Sequence, residues 1–479
     1  MGGNALKLKL RIAAAAARVA TGRSRGVRLA ALAGLALLIS AQATAEIVAT
    51  IQWHEERQVI DGFGTSQAIT YAPPLYHWPE PQRSEILDLA FSAEKGIGLT
   101  ILRNTIPCGD PDDPVPGLQP SPGEWNYTDT EQVWLMHEAV QRGVTTLFGA
   151  VWSPPAWMKT SGVTRGGSLK PEHYQDFAEY LARYAKEYAE ANQVEIGAIS
   201  IANEPDNDTT NWASCGWSNR EIATFLADYL APTFAARGVT AQVVAPEIAN
   251  WERTERHMRA TYETPAAIER VDIVAGHLYG GDPTTLFEGA VEHGKKIWMT
   301  EASLRFPVFP IDGALNWART IHEGLVHARL NAWIWWVLAN WPDEGLIWLR
   351  NEPPAPPRYL VSKAFWALGN YSKFIRPGYV RIEATPNPAD ELYVSAFKDP
   401  RGDRFVIVAV NTGALARPVK FEPVGFTTRL ARPYLTSRNS NLEPREDVSF
   451  ASTVTVPARS VVTYVGYAAS ITPETELER

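Results

Sequence analysis

Two glutamates close short aliphatic runs. Glu204 follows Ala198-Ile199-Ser200-Ile201-Ala202-Asn203 and is cut off by Pro205, and Glu301 ends Lys296-Ile297-Trp298-Met299-Thr300. Runs of this kind read as strands, and a proline cannot extend one, so each acid is expected at a strand end. One carboxylic acid that gives up a proton and one carboxylate facing an anomeric carbon are what cleavage of a glycosidic bond requires. Either acid alone would be as ordinary at the surface as in a site, whereas two such endings beside aromatic loops favour the chemical reading. Trp152 and Trp157 flank Ser153-Pro154-Pro155, His277 and Tyr279 close a further run, and Trp333, Trp335 and Trp336 crowd another. Flat aromatic faces stack on pyranose rings while neighbouring polar groups order the hydroxyls. Strand alternation predicts that only alternate members of the last group face a ligand.

Other chemistries fit poorly. No Gly-x-Ser-x-Gly elbow occurs, which disfavours a serine hydrolase. The stretch 289–296 imitates a phosphate loop, yet Lys296 stands where Ser or Thr belongs and a strand follows instead of preceding. His322 and His327 are five apart and do not share a helical face, which argues against a zinc pair, and Asp206-Asn207-Asp208 lacks the rest of a calcium loop. No cofactor or metal is expected. A net charge of -8 and a pI near 5.7 leave no basic surface for nucleic acid.

The acids need a scaffold. From about Asp61 to Tyr371 short β-rich runs alternate with amphipathic stretches, the pattern of βα units. Candidate strands begin near Phe63, Leu99, Thr145, Ala198, Gln242, Asp272, Lys296 and Asn331, and eight is the number of a (β/α)8 TIM barrel. Glu204 and Glu301 then end strands four and seven on one rim, where barrel active sites lie. In one helix Pro171 suits the first position, and Phe177, Leu181, Tyr184 and Tyr188 form a core-facing stripe.

The periodicity becomes two in residues 372–468, which predicts an antiparallel β-sandwich side domain that strands from 46–60 join, and 469–479 read as a loose tail. Residues 1–45 combine scattered basic residues, an apolar run over 29–39 and Ala41-Gln42-Ala43-Thr44-Ala45. They read as a secretory signal, with an uncleaved anchor as the alternative, and nothing later would hold the chain in a membrane. A secreted monomer is expected. Cys108 and Cys215 fall in predicted loops after barrel strands, and the sequence leaves open whether they form a disulfide or stay free thiols.

The chain resembles glycoside hydrolase family 30 of clan A through Asp61-Gly62-Phe63-Gly64-Thr65-Ser66-Gln67-Ala68, Ile101-Leu102-Arg103, the stretch 152–159, Asn203-Glu204-Pro205-Asp206, His277-Leu278-Tyr279-Gly280, Trp298-Met299-Thr300-Glu301 and Ala332-Trp333-Ile334-Trp335-Trp336. Residues 374–382 resemble its xylanase branch. The resemblance implies a retaining enzyme acting on a polysaccharide, β-1,4-xylan first, with β-1,6-glucan or β-1,6-galactan as alternatives and a non-catalytic carbohydrate-binding protein as the rival. It further implies Glu301 as nucleophile, Glu204 as general acid/base, Asn203 on the 2-hydroxyl, Arg103 beside the nucleophile, and Trp152, His277, Tyr279 and Trp336 at the substrate. Arg103 is expected to keep Glu301 ionised, while Glu204 needs a raised pKa. Ala339-Asn340-Trp341-Pro342-Asp343-Glu344 carries acids where many bacterial xylanases bind a glucuronate branch with basic residues. Dependence on that branch is therefore doubtful, unless Arg165 or Arg305 supplies the cation. Trp341 suggests a further stacking platform.

Overall fold

The computed structural model describes residues 46–68, 71–113, 115–340 and 344–473. The expected export signal, together with Trp341, Pro342 and Asp343, lies outside the described residues.

After β1 (Ile47–Val59), eight parallel strands close into a barrel: β2 (Gly62–Ser66), β3 (Ile101–Thr105), β4 (Thr146–Ala150), β5 (Ile196–Ser200), β6 (Gln242–Asn250), β7 (Ile273–Gly280), β8 (Lys296–Glu301) and β9 (Ala332–Trp336). Ile101, Phe148, Val244, Ile273, Trp298 and Ile334 fill the interior, so the barrel is packed and not a pore. Alternation puts Trp333 and Trp335 on the outer side, where both are fully buried and pack edge-on against Trp317 of α1 (Ile311–Val326). The Pro171 region is less regular than one helix. Pro171–His173 form a 3-10 turn, Tyr174–Arg183 an α-helix and Tyr184–Tyr188 a π turn, yet Phe177, Leu181, Tyr184 and Tyr188 are all buried.

Beyond the barrel a three-stranded sheet joins β10 (Ala339–Asn340), β11 (Ile347–Arg350) and β12 (Arg358–Val361). The side domain is a nine-stranded sheet that contains β1 with β13 (Val380–Ala384), β14 (Leu392–Lys398), β15 (Arg404–Asn411), β16 (Arg417–Val424), β17 (Phe426–Thr436), β18 (Glu443–Pro444), β19 (Val454–Val456) and β20 (Ser460–Ile471). Its pairs are antiparallel except β1 with β16, which run parallel. Phe421 on β16 and Tyr464 on β20 are five steps apart in strand order, roughly 24 Å in a flat sheet. Their ring centroids lie 5.2 Å apart, so the sheet folds over itself as a sandwich.

Candidate active site

Arg103, at the centre of β3, is the hub of the rim. It is fully buried, with its guanidinium carbon 5.7 Å from the Phe148 ring centroid and 4.7 Å from that of Trp152. Nη1 donates to Glu301 Oε2 at 2.7 Å, and Nη2 donates to Asn203 Oδ1 at 2.6 Å and to Glu247 Oε2 at 3.3 Å. Because the charge never meets solvent, only partners this close can offset its desolvation. Glu301 ends β8, and the Tyr279 hydroxyl donates to its other oxygen at 2.7 Å.

Glu204 is not the last residue of its strand. β5 stops at Ser200, after which the Asn203 amide crosses to Val151 O (2.6 Å) and the Glu204 amide to Glu247 O (3.0 Å). Both bonds draw the chain into a turn, and Glu204 adopts φ 46 and Glu247 φ 56. A side chain in that left-handed region costs on the order of 1–3 kcal/mol, and residues of this kind collect at functional sites. Asn207 Nδ2 (2.9 Å) and His277 Nδ1 (3.0 Å) bond the two Glu204 oxygens.

Arg103 and His277 are both fully buried and lie outside the residues that line the cleft. Cys108 and Cys215 are free, buried thiols. The buried Lys159 ammonium acts electrostatically on both, and its bonds to Thr164 O and Ser214 O tie the loop after β4 to the loop after β5 that carries Cys215. The order of the acid pKa values is also reversed. Burial would raise Glu204, but His277, Asn207 and Arg103 hold its carboxyl below the ordinary range, whereas burial keeps Glu301 above it despite His277 and Arg103. Burial is the largest influence on both acids; His277 bonds Glu204 at 3.0 Å but lies 3.9 Å from Glu301, which also feels the Glu204 charge.

Glu247 was not anticipated. It sits within β6, fully buried, with Oε1 at 3.2 Å from Arg103 Nη2 and 3.5 Å from His277 Nε2. Burial opposes its charge, yet the Arg103 charge and His277 lower its carboxyl to about 2. An acid after Val243-Val244-Ala245-Pro246 was the available signal.

These groups floor a cleft of about 530 Å³ lined by Trp152, Asn203, Glu204, Tyr279, Glu301 and Trp336, with Tyr71, Asn207 and Trp212 added by the structure. Trp336 packs against Trp152 (5.8 Å) and edge-on against Tyr71 (5.4 Å). Trp157 lies outside this lining, donating to Gln119 O instead. Asp110, Asp112, Asp113 and Glu344 make the walls acidic, and burial pushes Asp113 up to about 7. Arg165 also lines the cleft, but Asp110 holds it at 2.8 and 3.1 Å and Asp112 holds it as well. Arg305 donates to Gly281 O and lies over Phe306, away from this lining. Of the two, Arg165 has its charge taken up by carboxylates.

Ligand atoms of Glu204, His277 and Glu301 all lie within 4.8 Å of one another, close enough for a metal ion. The Arg103 guanidinium on Glu301 would oppose that ion, so the arrangement suits acid–base and nucleophilic work better.

Residues 60–368 match Glycosyl hydrolase family 59, and residues 378–464 match the Glycosyl hydrolase family 30 beta sandwich domain. The chain is 30% identical over 353 residues to Glucuronoxylanase XynC of Bacillus subtilis, covering 70% of this chain and 77% of that protein. The family 30 subfamily 8 xylanase Xyn30A of Clostridium acetobutylicum superposes with a TM-score of 0.73 at 28% identity, over 88% of this chain and all of the other. The catalytic domain of xylanase C from Talaromyces cellulolyticus gives 0.77 at 26%, over 88% and 100%.

Proposed function

The chain belongs to glycoside hydrolase family 30 of clan A, with a barrel that the family 59 model also describes, and from that premise we propose that this glycosidase is a secreted, retaining enzyme that cleaves β-1,4-xylan without requiring a glucuronate branch. The observation that carries the mechanism is the closeness of the acids: a Glu204 oxygen and a Glu301 oxygen lie within 4.8 Å. Retaining pairs stand roughly 5–5.5 Å apart, whereas inverting pairs need roughly 6.5–9.5 Å to admit water between acid and sugar. Glu301 attacks the anomeric carbon as Glu204 protonates the leaving oxygen, and Glu204 then deprotonates the water that frees the sugar. Trp152 and Trp336 offer stacking faces at the cleft, and Asn203, oriented by Arg103, is within reach of a hydroxyl. The acidic walls and the engaged Arg165 support a neutral backbone as substrate.

The test is reducing-sugar release from unbranched xylan, glucuronoxylan and β-1,6-glucan, with the anomer formed first read by proton NMR. Activity on both xylans with the β-anomer first is expected, and Glu301→Gln is expected to lose at least about a thousandfold. Release from β-1,6-glucan alone would move the substrate, and an α-anomer first would overturn retention.

A further inference from the structure

We propose that His277 stores the proton that Glu204 delivers, passing it from Nδ1 to the Glu204 carboxyl in the bond-breaking step and recovering it in the water step. The proposal rests on the retaining reading above. His277 is fully buried, and both ring nitrogens face carboxylates: Nδ1 lies 3.0 Å from Glu204 Oε1 and 3.9 Å from Glu301 Oε2, and Nε2 lies 3.5 Å from Glu247 Oε1. A neutral imidazole would turn a lone pair toward one of these oxygens, whereas the imidazolium offers N–H to both sides.

The charged and titratable groups around the ring come from five elements. They are Arg103 on β3, Glu204 after β5, Glu247 on β6, Tyr279 on β7 and Glu301 on β8. Arg103 does not release its proton, and burial with the Glu301 charge keeps Tyr279 well above its ordinary value, so it keeps its own. Three carboxylates against one guanidinium leave two negative charges unbalanced, which favours a proton on the ring between them. Burial disfavours a charge on His277, yet Glu301, Glu204 and Glu247 raise its pKa to about 9, which agrees with the proton resting there.

In the first step the Nδ1 proton moves to Glu204 and on to the glycosidic oxygen as the C–O bond breaks and the Glu301–carbon bond forms. His277 is left neutral, with its Nε2 proton toward Glu247. In the second step water gives a proton to Glu204 while its oxygen displaces Glu301, and the proton returns to Nδ1. Every proton and electron pair is accounted for without an outside reagent.

The test compares wild type, His277→Gln and His277→Asn on two substrates: a xylo-oligosaccharide, whose leaving alcohol needs the proton, and dinitrophenyl xylobioside, whose phenolate leaves without it. The ratio of the two kcat/KM values does not depend on the folded fraction. It is expected to shift toward the aryl glycoside by about a hundredfold or more in both variants, with the basic limb of the oligosaccharide pH profile moved to lower pH. Equal losses on both substrates, or an unmoved basic limb, would overturn the relay and leave His277 a structural residue. Wild type inactive on both substrates would overturn the xylan reading instead. In unliganded wild type, nitrogen NMR is expected to find both ring nitrogens of His277 protonated at pH 7, and a single protonated nitrogen would count against the proposal whatever the substrate.

Discussion

Glu247 receives Arg103, faces His277 and meets no solvent, so changing its carboxylate removes one buried counter-charge from each of two cations at once. Glu247→Gln is expected to destabilise the fold by about 3 kcal/mol, the usual cost of breaking a buried pair, measured by denaturant unfolding at pH 7. It is also expected to move the basic limb of kcat/KM to lower pH, because the pKa of His277 loses one of its raising neighbours. Unchanged stability and an unchanged limb would show that Glu301 alone balances Arg103. Glu204 and Glu301 were legible because each ends an aliphatic run, a local signal. Glu247 satisfies much the same rule, but its run continues to Asn250 and hides the acid in mid-strand. The side chains of Arg103 and His277 were legible by type and by rim but not by depth, since alternation tells which face a residue takes and not which layer it occupies.

The loops after β3, β4 and β5 are fastened to one another. Arg165 and the Thr164 hydroxyl bond Asp110, Lys159 Nζ reaches Ser214 O, and the Gly166 amide donates to Ser214 Oγ. The cleft wall is therefore built from three crossovers, and its charge follows from who holds Arg165. Asp110→Asn with Asp112→Asn is expected to release that guanidinium and raise activity on glucuronoxylan relative to unbranched xylan several-fold, with the gain fading as salt is added. A ratio that stays put in low salt would mean that Arg165 does not reach the branch. The barrel strands were readable because buried parallel strands are aliphatic runs broken by turn residues. The end of β5 was not, because amide bonds from Asn203 to Val151 O just after β4 and from Glu204 to Glu247 O in β6, both distant in sequence, bend the chain there. The parallel pairing of β1 with β16 was equally hidden, since period-two alternation is the same for either direction.

Barrel and side domain meet around α1, where His322 lies fully buried 5.6 Å from the Tyr393 ring on β14. Burial, with smaller contributions from the His327 and Arg381 charges, depresses its pKa from 6.5 to about 3. Below pH 6.5 the unfolded chain takes up a proton that the folded chain refuses until about pH 3, so this residue lowers stability as the medium turns acid. The loss from this site is about 2 kcal/mol between pH 6.5 and pH 5. His322→Leu is expected to flatten thermal stability over that interval, and a slope equal to wild type would place the acid sensitivity elsewhere. At this scale the order of barrel and β module was legible from the change in hydrophobic period. The fold-over of the sheet was not, because Phe421 and Tyr464 meet only in three dimensions.

The sheet that holds β1 draws its other strands from beyond the barrel, and the Thr50 amide finds Thr385 Oγ1 335 residues later. On a ribosome adding roughly 5–20 residues per second, that partner arrives about 17–67 s after Thr50 does. Until then β1 is a strand with two open edges, the kind of surface that recruits other chains. The barrel can close while this first strand waits, so the side domain is the last part of the nascent protein to become native, and the interval before its completion is when aggregation competes best with folding.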